Sequence, residues 1–279
     1  MIESNRQEDR GGFRARKSLG QNFLVDRRVI DGIIDRACID PSEVVVEIGP
    51  GLGALTFPLA GLAHHLVAVE KDARAVCELD RRLPRGSGRN VTLVQADILD
   101  FPLEDVSGRF DCKLVVVGNL PYYISKPVLE MLVRKRHVVK RAVMMFQAEV
   151  ADRLLAEPGE KAYGALTVMV RYRAAPSLVM DVSRDSFRPR PKVASRVVCL
   201  DFSLPHPVMA ESDTWFDTVV KAAFSHRRKT LFNSLRSSGR DWSRDLISSA
   251  LADCGIEDSR RAETLGIGEF LCLSERLRT

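Results

Sequence analysis

The run Val44-Val45-Val46-Glu47-Ile48 passes directly into Gly49-Pro50-Gly51-Leu52-Gly53 and then into a helical pattern that reaches about Ala63. A nearly continuous apolar run of this length suits a strand covered on both faces, as in the interior of a parallel sheet. Glycines at its end tolerate positive φ and carry no side chain, so the backbone can approach a ligand closely there. The following helix points its N-terminus at that ligand. Strand-like and helical patterns then alternate from residue 29 to about residue 155, which is the mark of an α/β parallel sheet.

The remaining elements follow from periodicity. Val29, Ile30, Ile33, Ile34 and Ala37 fall at helical spacing. Leu66 to Glu70 reads as a second strand, after which Asp72 can cap a helix carrying Val76, Leu79 and Leu83. Val91 to Gln95, Leu114 to Val117 and Ala142 to Phe146 supply three more strands. Beyond Pro158-Gly159, the patterns Ala165 to Tyr172 and Ser195 to Phe202 read as strands that pair as an antiparallel edge, giving about seven in all. Leu204-Pro205-His206-Pro207 interrupts the pattern, and the rest reads as helix: Asp213 to Phe224, Lys229 to Ser237, Asp245 to Cys254 and Ile267 to Leu277. The expected organisation is a flexible tail over 1–16, an α/β domain over 17–204 and a small all-helical domain over 205–279.

With 279 residues the chain can bury a full core. No apolar export signal lies in Met1 to Gly12, and runs such as Leu114 to Val117 are too short to cross a bilayer. A cytoplasmic protein with no membrane partner is expected. Six cysteines, at 38, 77, 112, 199, 254 and 272, form no Cys-x-x-Cys pair, and the five histidines are scattered. Neither a metal site nor a disulfide framework is expected, and the cysteines read as small buried hydrophobes. The net charge of +5 says little by itself. Its distribution says more: Arg171, Arg173, Arg184, Arg188, Arg190, Lys192 and Arg196 are matched in that stretch only by Asp181 and Asp185, whereas His206 onward carries eleven basic and eleven acidic side chains. A nucleic-acid partner would therefore meet the middle of the chain.

The glycine loop alone does not fix the ligand. Gly49, Gly51 and Ala54 also satisfy the dinucleotide fingerprint G-x-G-x-x-G/A, and Glu70 could bind ribose hydroxyls in either cofactor class. Asp97, ending the third strand, could accept the exocyclic amine of a cofactor adenine. Asn119-Leu120-Pro121-Tyr122, ending the fourth, discriminates, because hydride transfer gives no reason for such a tetrad. An amine conjugated to a ring is a poor nucleophile, and two acceptors aimed at its N–H groups would help. The Asn119 side-chain oxygen and the carbonyl of Leu120 or Pro121 could hold it in line with a sulfonium methyl. Pro121 fixes φ, and Tyr122 offers a face on which a base can stack. S-adenosylmethionine is the cofactor this pattern favours, with S-adenosylhomocysteine as product and no metal.

Further segments carry a specific likeness: Leu19-Gly20-Gln21-Asn22-Phe23-Leu24, Gln147-Ala148-Glu149-Val150, Tyr163-Gly164, Phe187-Arg188-Pro189-Arg190-Pro191-Lys192-Val193-Ala194-Ser195 and Arg227-Arg228-Lys229-Thr230-Leu231. With the loop, Glu70, Asp97 and the tetrad, they make the chain from about Lys17 to Leu273 resemble the ribosomal RNA adenine N6,N6-dimethyltransferases, in their bacterial small-subunit branch, the KsgA/RsmA family. The resemblance implies a class I S-adenosylmethionine-dependent methyltransferase fold, Rossmann-like, with a mostly parallel sheet of about seven strands and a helical C-terminal domain. It implies that Asn22, Leu24, Gly49, Glu70, Asp97 and Asn119 contact S-adenosylmethionine, with Gly51 in the same loop, and that Phe187 joins Tyr122 around the target adenine. It suggests RNA contact at Arg227, Arg228 and Lys229, to which the sequence adds Arg188, Arg190 and Lys192 beside the site. The implied substrate is a pair of adjacent adenosines in a hairpin loop near the 3′ end of 16S rRNA, dimethylated by a monomer within a maturing 30S subunit. Ala194, Arg196 and Arg171 depart from the family pattern and are expected to add positive charge beside the site. The competing readings are a large-subunit rRNA methyltransferase, a non-catalytic assembly factor and a nicotinamide oxidoreductase.

Overall fold

The computed structural model describes residues 15–16, 20–84 and 90–278. The expected N-terminal tail, apart from Ala15 and Arg16, lies outside these residues, as do Lys17 and Leu19. A short strand β1 (Phe23–Leu24) leads into helix α1 (Arg27–Ala37), capped by the Asp26 carboxylate accepting from the Arg28 amide. Strands and helices then alternate: β2 (Val44–Ile48), α2 (Thr56–Leu62), β3 (His65–Glu70), α3 (Ala73–Arg82), β4 (Val91–Gln95), α4 (Leu103–Phe110), β5 (Leu114–Asn119), α5 (Ser125–Arg134), β6 (Val139–Gln147) and α6 (Ala148–Leu155). Asp72 caps α3, as the sequence suggested.

The seven-stranded sheet has the order β4-β3-β2-β5-β6-β9-β7, where β7 spans Ala175–Val182 and β9 spans Ser195–Asp201. β2 pairs in parallel with β3 on one side and β5 on the other. The strand order reverses there, which is where open α/β sheets bind ligands. All five residues of β2 are buried because helices cover both faces: Val44, Val46 and Ile48 join one apolar core, and Val45 joins the other with Leu66, Val115 and Val117. A separate two-stranded ladder joins β1 to β8 (Phe187–Arg188), with Leu24 opposite Phe187.

Three sequence expectations need correction. Ala165 to Tyr172 is not a strand but part of helix α7 (Ala165–Arg173). Its apolar residues look unsegregated because it is wedged between two cores: Leu166 and Val170 face the sheet, while Val168, Met169 and Tyr172 join the helical core. The edge strand is instead β7, whose Pro176 masked it; proline is tolerated on an edge. β9 is accordingly not an edge but lies between β6 and β7, antiparallel to both.

The third correction concerns the cysteines. Helices α8 (Asp213–Ala223), α9 (Leu231–Arg236), α10 (Arg244–Asp253) and α11 (Ile267–Arg276) pack around Phe216, Leu235, Leu251 and Phe270. There Cys254, after α10, is disulfide-bonded to Cys272 in α11, with Cα atoms 5.8 Å apart. Cys38 and Cys77 are exposed rather than buried.

Candidate active site

The carboxyl ends of β2, β3, β4 and β5 open onto one cavity at the switch point. Asn22, Leu24, Gly49, Gly51, Glu70, Asp97, Asn119, Leu120, Pro121, Tyr122 and Phe187 all line it, so residues from six separate segments meet at one place. Gly49 and Gly51 adopt φ of +67° and +54°. A Cβ on Gly51 would press on the Phe23 ring at 3.1 Å, and one on Gly49 would point at the Asn119 carbonyl, 3.9 Å away. The loop thus forms a cradle that side chains would fill.

Two acidic residues stand behind the cradle. Glu70 accepts from the Gly51 amide through Oε2 (3.1 Å) and from the Asp72 amide through Oε1 (2.8 Å), tying the loop to the start of α3. Burial nonetheless raises its pKa. Glu47 is 1% exposed, and its Oε2 has no hydrogen-bond partner. Burial above all, reinforced by the Glu70 charge, pushes its carboxyl up to about 8. Asp97 differs: Lys71 Nζ, 2.7 Å away, chiefly holds its pKa below the ordinary carboxylate value. Each Asp97 oxygen has one partner, Lys71 on Oδ2 and the Leu99 amide on Oδ1, so lone pairs remain for a ligand amine.

The segment before β1 is pinned over this edge. Gln21 donates to Asp72 Oδ2 (3.0 Å), and its own Oε1 accepts from the Arg16 amide (2.8 Å). Asn119 Nδ2 donates to the Asn22 carbonyl at 3.2 Å. That bond decides which way the amide faces, because with nitrogen committed to Asn22, Oδ1 is left as the acceptor without a partner among the described residues. In the tetrad the Pro121 carbonyl already accepts from the Ile124 amide (3.1 Å). The Leu120 carbonyl accepts no hydrogen bond among the described residues. Two unengaged acceptors, Asn119 Oδ1 and Leu120 O, therefore come from consecutive residues. The Tyr122 hydroxyl is bonded to Ser195 Oγ at 2.8 Å.

The basic residues fall in two groups. Arg188, Arg190 and Lys192 are exposed on the segment following Phe187, although Arg190 pairs with Asp185 at 3.0 Å. Arg227 and Lys229 line a second groove with Glu149, Arg153 and Lys161, and Arg228 is exposed beside them. Arg196 and Arg171 do not add free charge as expected. Arg196 is paired with both Asp152 and Asp181, and Arg171 forms two hydrogen bonds to the Glu157 carboxylate. The sequence reading passed over Glu47, Lys71 and Tyr123, which also line the cavity. An acid at the end of an apolar strand, two residues before the first loop glycine, was the available signal for the first.

Sheet order, cradle and tetrad together define a class I methyltransferase fold. The chain belongs to the ribosomal RNA adenine dimethylase family, whose model matches residues 12–279, and it is thereby an enzyme of the class that dimethylates adenine in ribosomal RNA. It is 45% identical over 264 residues to the ribosomal RNA small subunit methyltransferase A of Desulforapulum autotrophicum, covering 94% of this chain and 92% of that one. It is 44% identical over 275 residues to the protein of the same name from Moorella thermoacetica, covering 96% and 94%. Among solved structures, a dimethyladenosine transferase from Plasmodium falciparum superposes with a TM-score of 0.76 at 29% identity, over 90% of this chain and 95% of that one. The 23S rRNA methyltransferase ErmE superposes with a TM-score of 0.70 at 28% identity, over 92% and 99%.

Proposed function

We propose that this enzyme transfers methyl groups from S-adenosylmethionine to the N6 atoms of two adjacent adenosines in a hairpin loop near the 3′ end of 16S rRNA, acting as a cytoplasmic monomer on the immature 30S subunit. The observation that carries the chemistry is the Asn119 amide, fixed by Asn22 with its oxygen free beside the Leu120 carbonyl. Small-subunit choice rests on the two relatives named small subunit methyltransferase A.

The cavity suits the cofactor. The glycine cradle admits close backbone approach, Glu70 retains acceptor capacity for ribose hydroxyls, and Asp97 can take the adenine amine. Glu47 offers a buried oxygen without a partner. S-adenosylmethionine held there would supply an electrophilic methyl to the N6 lone pair, the electron pair of the broken S–C bond remaining on sulfur. Asn119 Oδ1 and Leu120 O accept the two N–H bonds and favour the pyramidal amine. The proton becomes acidic once nitrogen is alkylated and passes to water, so no side-chain base is required. Tyr122 and Phe187 enclose the base, which is cheaper to extrude from a loop than from a duplex. No group of three or more His, Cys, Asp or Glu that could hold a metal occurs among the described residues. No helix among them is long and apolar enough to cross a membrane.

In this reading residues 17–204 are the catalytic domain and 205–279 a helical domain, with Arg188, Arg190, Lys192 and Arg227 to Lys229 meeting RNA phosphates. Offering methyl-labelled S-adenosylmethionine with unmodified small or large subunits tests the assignment. Label in small-subunit RNA supports it. Label only in large-subunit RNA would transfer the function to that subunit, and calorimetric binding of NAD in place of S-adenosylmethionine would reject the cofactor.

A further inference from the structure

The chain from Phe187 to Ser195 is tied to the cavity at both ends, directly at Phe187 and through Tyr122 at Ser195. Phe187, 1% exposed, lines the cavity directly. Ser195, also 1% exposed, does not line it but holds the hydroxyl of Tyr122, which does. Ser195 is unusually well fixed for a residue that ends a loop. It begins β9 and is paired on both sides, with Gln147 at the end of β6 and Val182 at the end of β7. The preceding carbonyl of Ala194 accepts from the Ala148 amide at 3.0 Å. Tyr122, by contrast, sits on a single 3-10 turn, Tyr122–Ile124, with its ring half-buried and open to the cavity. The 2.8 Å bond to Ser195 is the hydrogen bond that fixes the ring's far end among the described residues.

We propose that Ser195 is a positioning residue for methyl transfer: by holding the Tyr122 hydroxyl it fixes where the far end of the ring lies, and hence the position of the face on which the target adenine stacks and the approach of N6 to Asn119 Oδ1 and Leu120 O. The proposal rests on the reading that Tyr122 stacks the target base. It also gives the Tyr122 hydroxyl a purely orienting role. Burial raises the phenol pKa, so the hydroxyl stays protonated at neutral pH while it is engaged with Ser195.

The test uses small subunits reassembled with RNA that carries 2-aminopurine at the target position, whose fluorescence is quenched on stacking. Methylation rates are measured in parallel on unmodified subunits. Ser195→Ala leaves one buried hydroxyl without its partner, so kcat is expected to fall about three- to tenfold, with weaker quenching and unchanged S-adenosylmethionine affinity. Tyr122→Phe is expected to lose a similar factor. The double variant Tyr122→Phe/Ser195→Ala is expected to be no worse than either single one, because removing both partners leaves no unpaired group. If Ser195→Ala does not fold, weaker quenching and lower kcat in Tyr122→Phe carry the same prediction. Losses that multiply in the double variant, or full quenching and full kcat in both single variants, would overturn the role of Ser195. Full quenching in Tyr122→Ala would instead overturn the stacking reading itself, and the proposal with it.

Discussion

Asn119 and Asn22 lie 97 positions apart in sequence, yet the side-chain amide of the first donates to the carbonyl of the second at 3.2 Å. One bond thus joins the end of β5 to the segment beside the glycine loop, and it commits the Asn119 nitrogen, so that Oδ1 is the acceptor left for a ligand among the described residues. Replacing Asn119 with Ala removes a preorganised acceptor, so kcat should fall by about a hundredfold or more. S-adenosylmethionine and particle binding should change only a few-fold. Single-turnover methylation beside calorimetric titration separates these effects, and equal loss of binding and rate would count against the role assigned to Asn119.

The buried Glu47 makes stability depend on pH. Its folded pKa of about 8 lies above the ordinary 4.5, so between those values the folded protein binds the extra proton. Stability should therefore fall as pH rises from about 4.5 to 8. Glu47→Gln should flatten that part of the profile and leave the variant more stable than the parent at pH 8, by up to on the order of 4 kcal/mol. Urea unfolding at pH 5 and pH 8 measures it, and an unchanged slope in the variant would contradict the shift.

Glu43 works in the opposite sense. Burial opposes its ionisation, but hydrogen bonds from Arg141 and then Lys140 outweigh burial and hold the carboxyl at about 2. Arg141 contacts both Glu43 oxygens, at 2.8 and 2.6 Å, and also donates to the carbonyls of Ala37 and Cys38, fastening the end of α1 to β6. This stabilisation is present above pH 4.5 and is lost as pH falls through about 2. Arg141→Met should cost about 2 kcal/mol at neutral pH, since it removes two charge-assisted hydrogen bonds and leaves Glu43 only Lys140 and the Asp40 amide. Denaturant midpoints should show that loss shrinking in acid.

RNA binding should weaken steeply with salt, because basic side chains on phosphates release counterions. The contributions should be unequal. Arg188 and Lys192 form no salt bridge among the described residues, whereas Arg196 is held by Asp152 and Asp181. Arg188→Ala and Lys192→Ala should each lower the slope of log K against log salt by about 1, and Arg196→Ala should leave it nearly unchanged. Filter binding across a salt series distinguishes them, and a flat profile for the parent protein would contradict phosphate contact altogether.

The parallel half of the sheet was legible because β2 through β6 are short apolar runs bounded by turn residues, and Asp72 capped its helix as its position implied. What periodicity could not show was burial from two sides. Helix α7 carries apolar residues toward both the sheet and the helical core, so its stripe disappears, and Pro176 hid the strand that follows. Gly49, Gly51, Glu70, Asp97 and Asn119 to Tyr122 were legible because they follow or end strands at one sheet edge, whereas Asn22, Leu24 and Phe187 came from the family resemblance. Ser195 read only as a strand start and the end of a motif, since its bond to Tyr122 spans 73 positions. The charges of Arg196 and Arg171 were misread for a similar reason: Asp152 pairs with the first and Glu157 with the second, each from a distant part of the sequence.

Mass analysis of nucleosides from small-subunit RNA treated with the enzyme and S-adenosylmethionine tests the central claim most directly. The expected result is N6,N6-dimethyladenosine at two adjacent positions with the parent protein and none with Asn119→Ala. Methylation on another base, or undiminished dimethyladenosine in the Asn119→Ala sample, would contradict it.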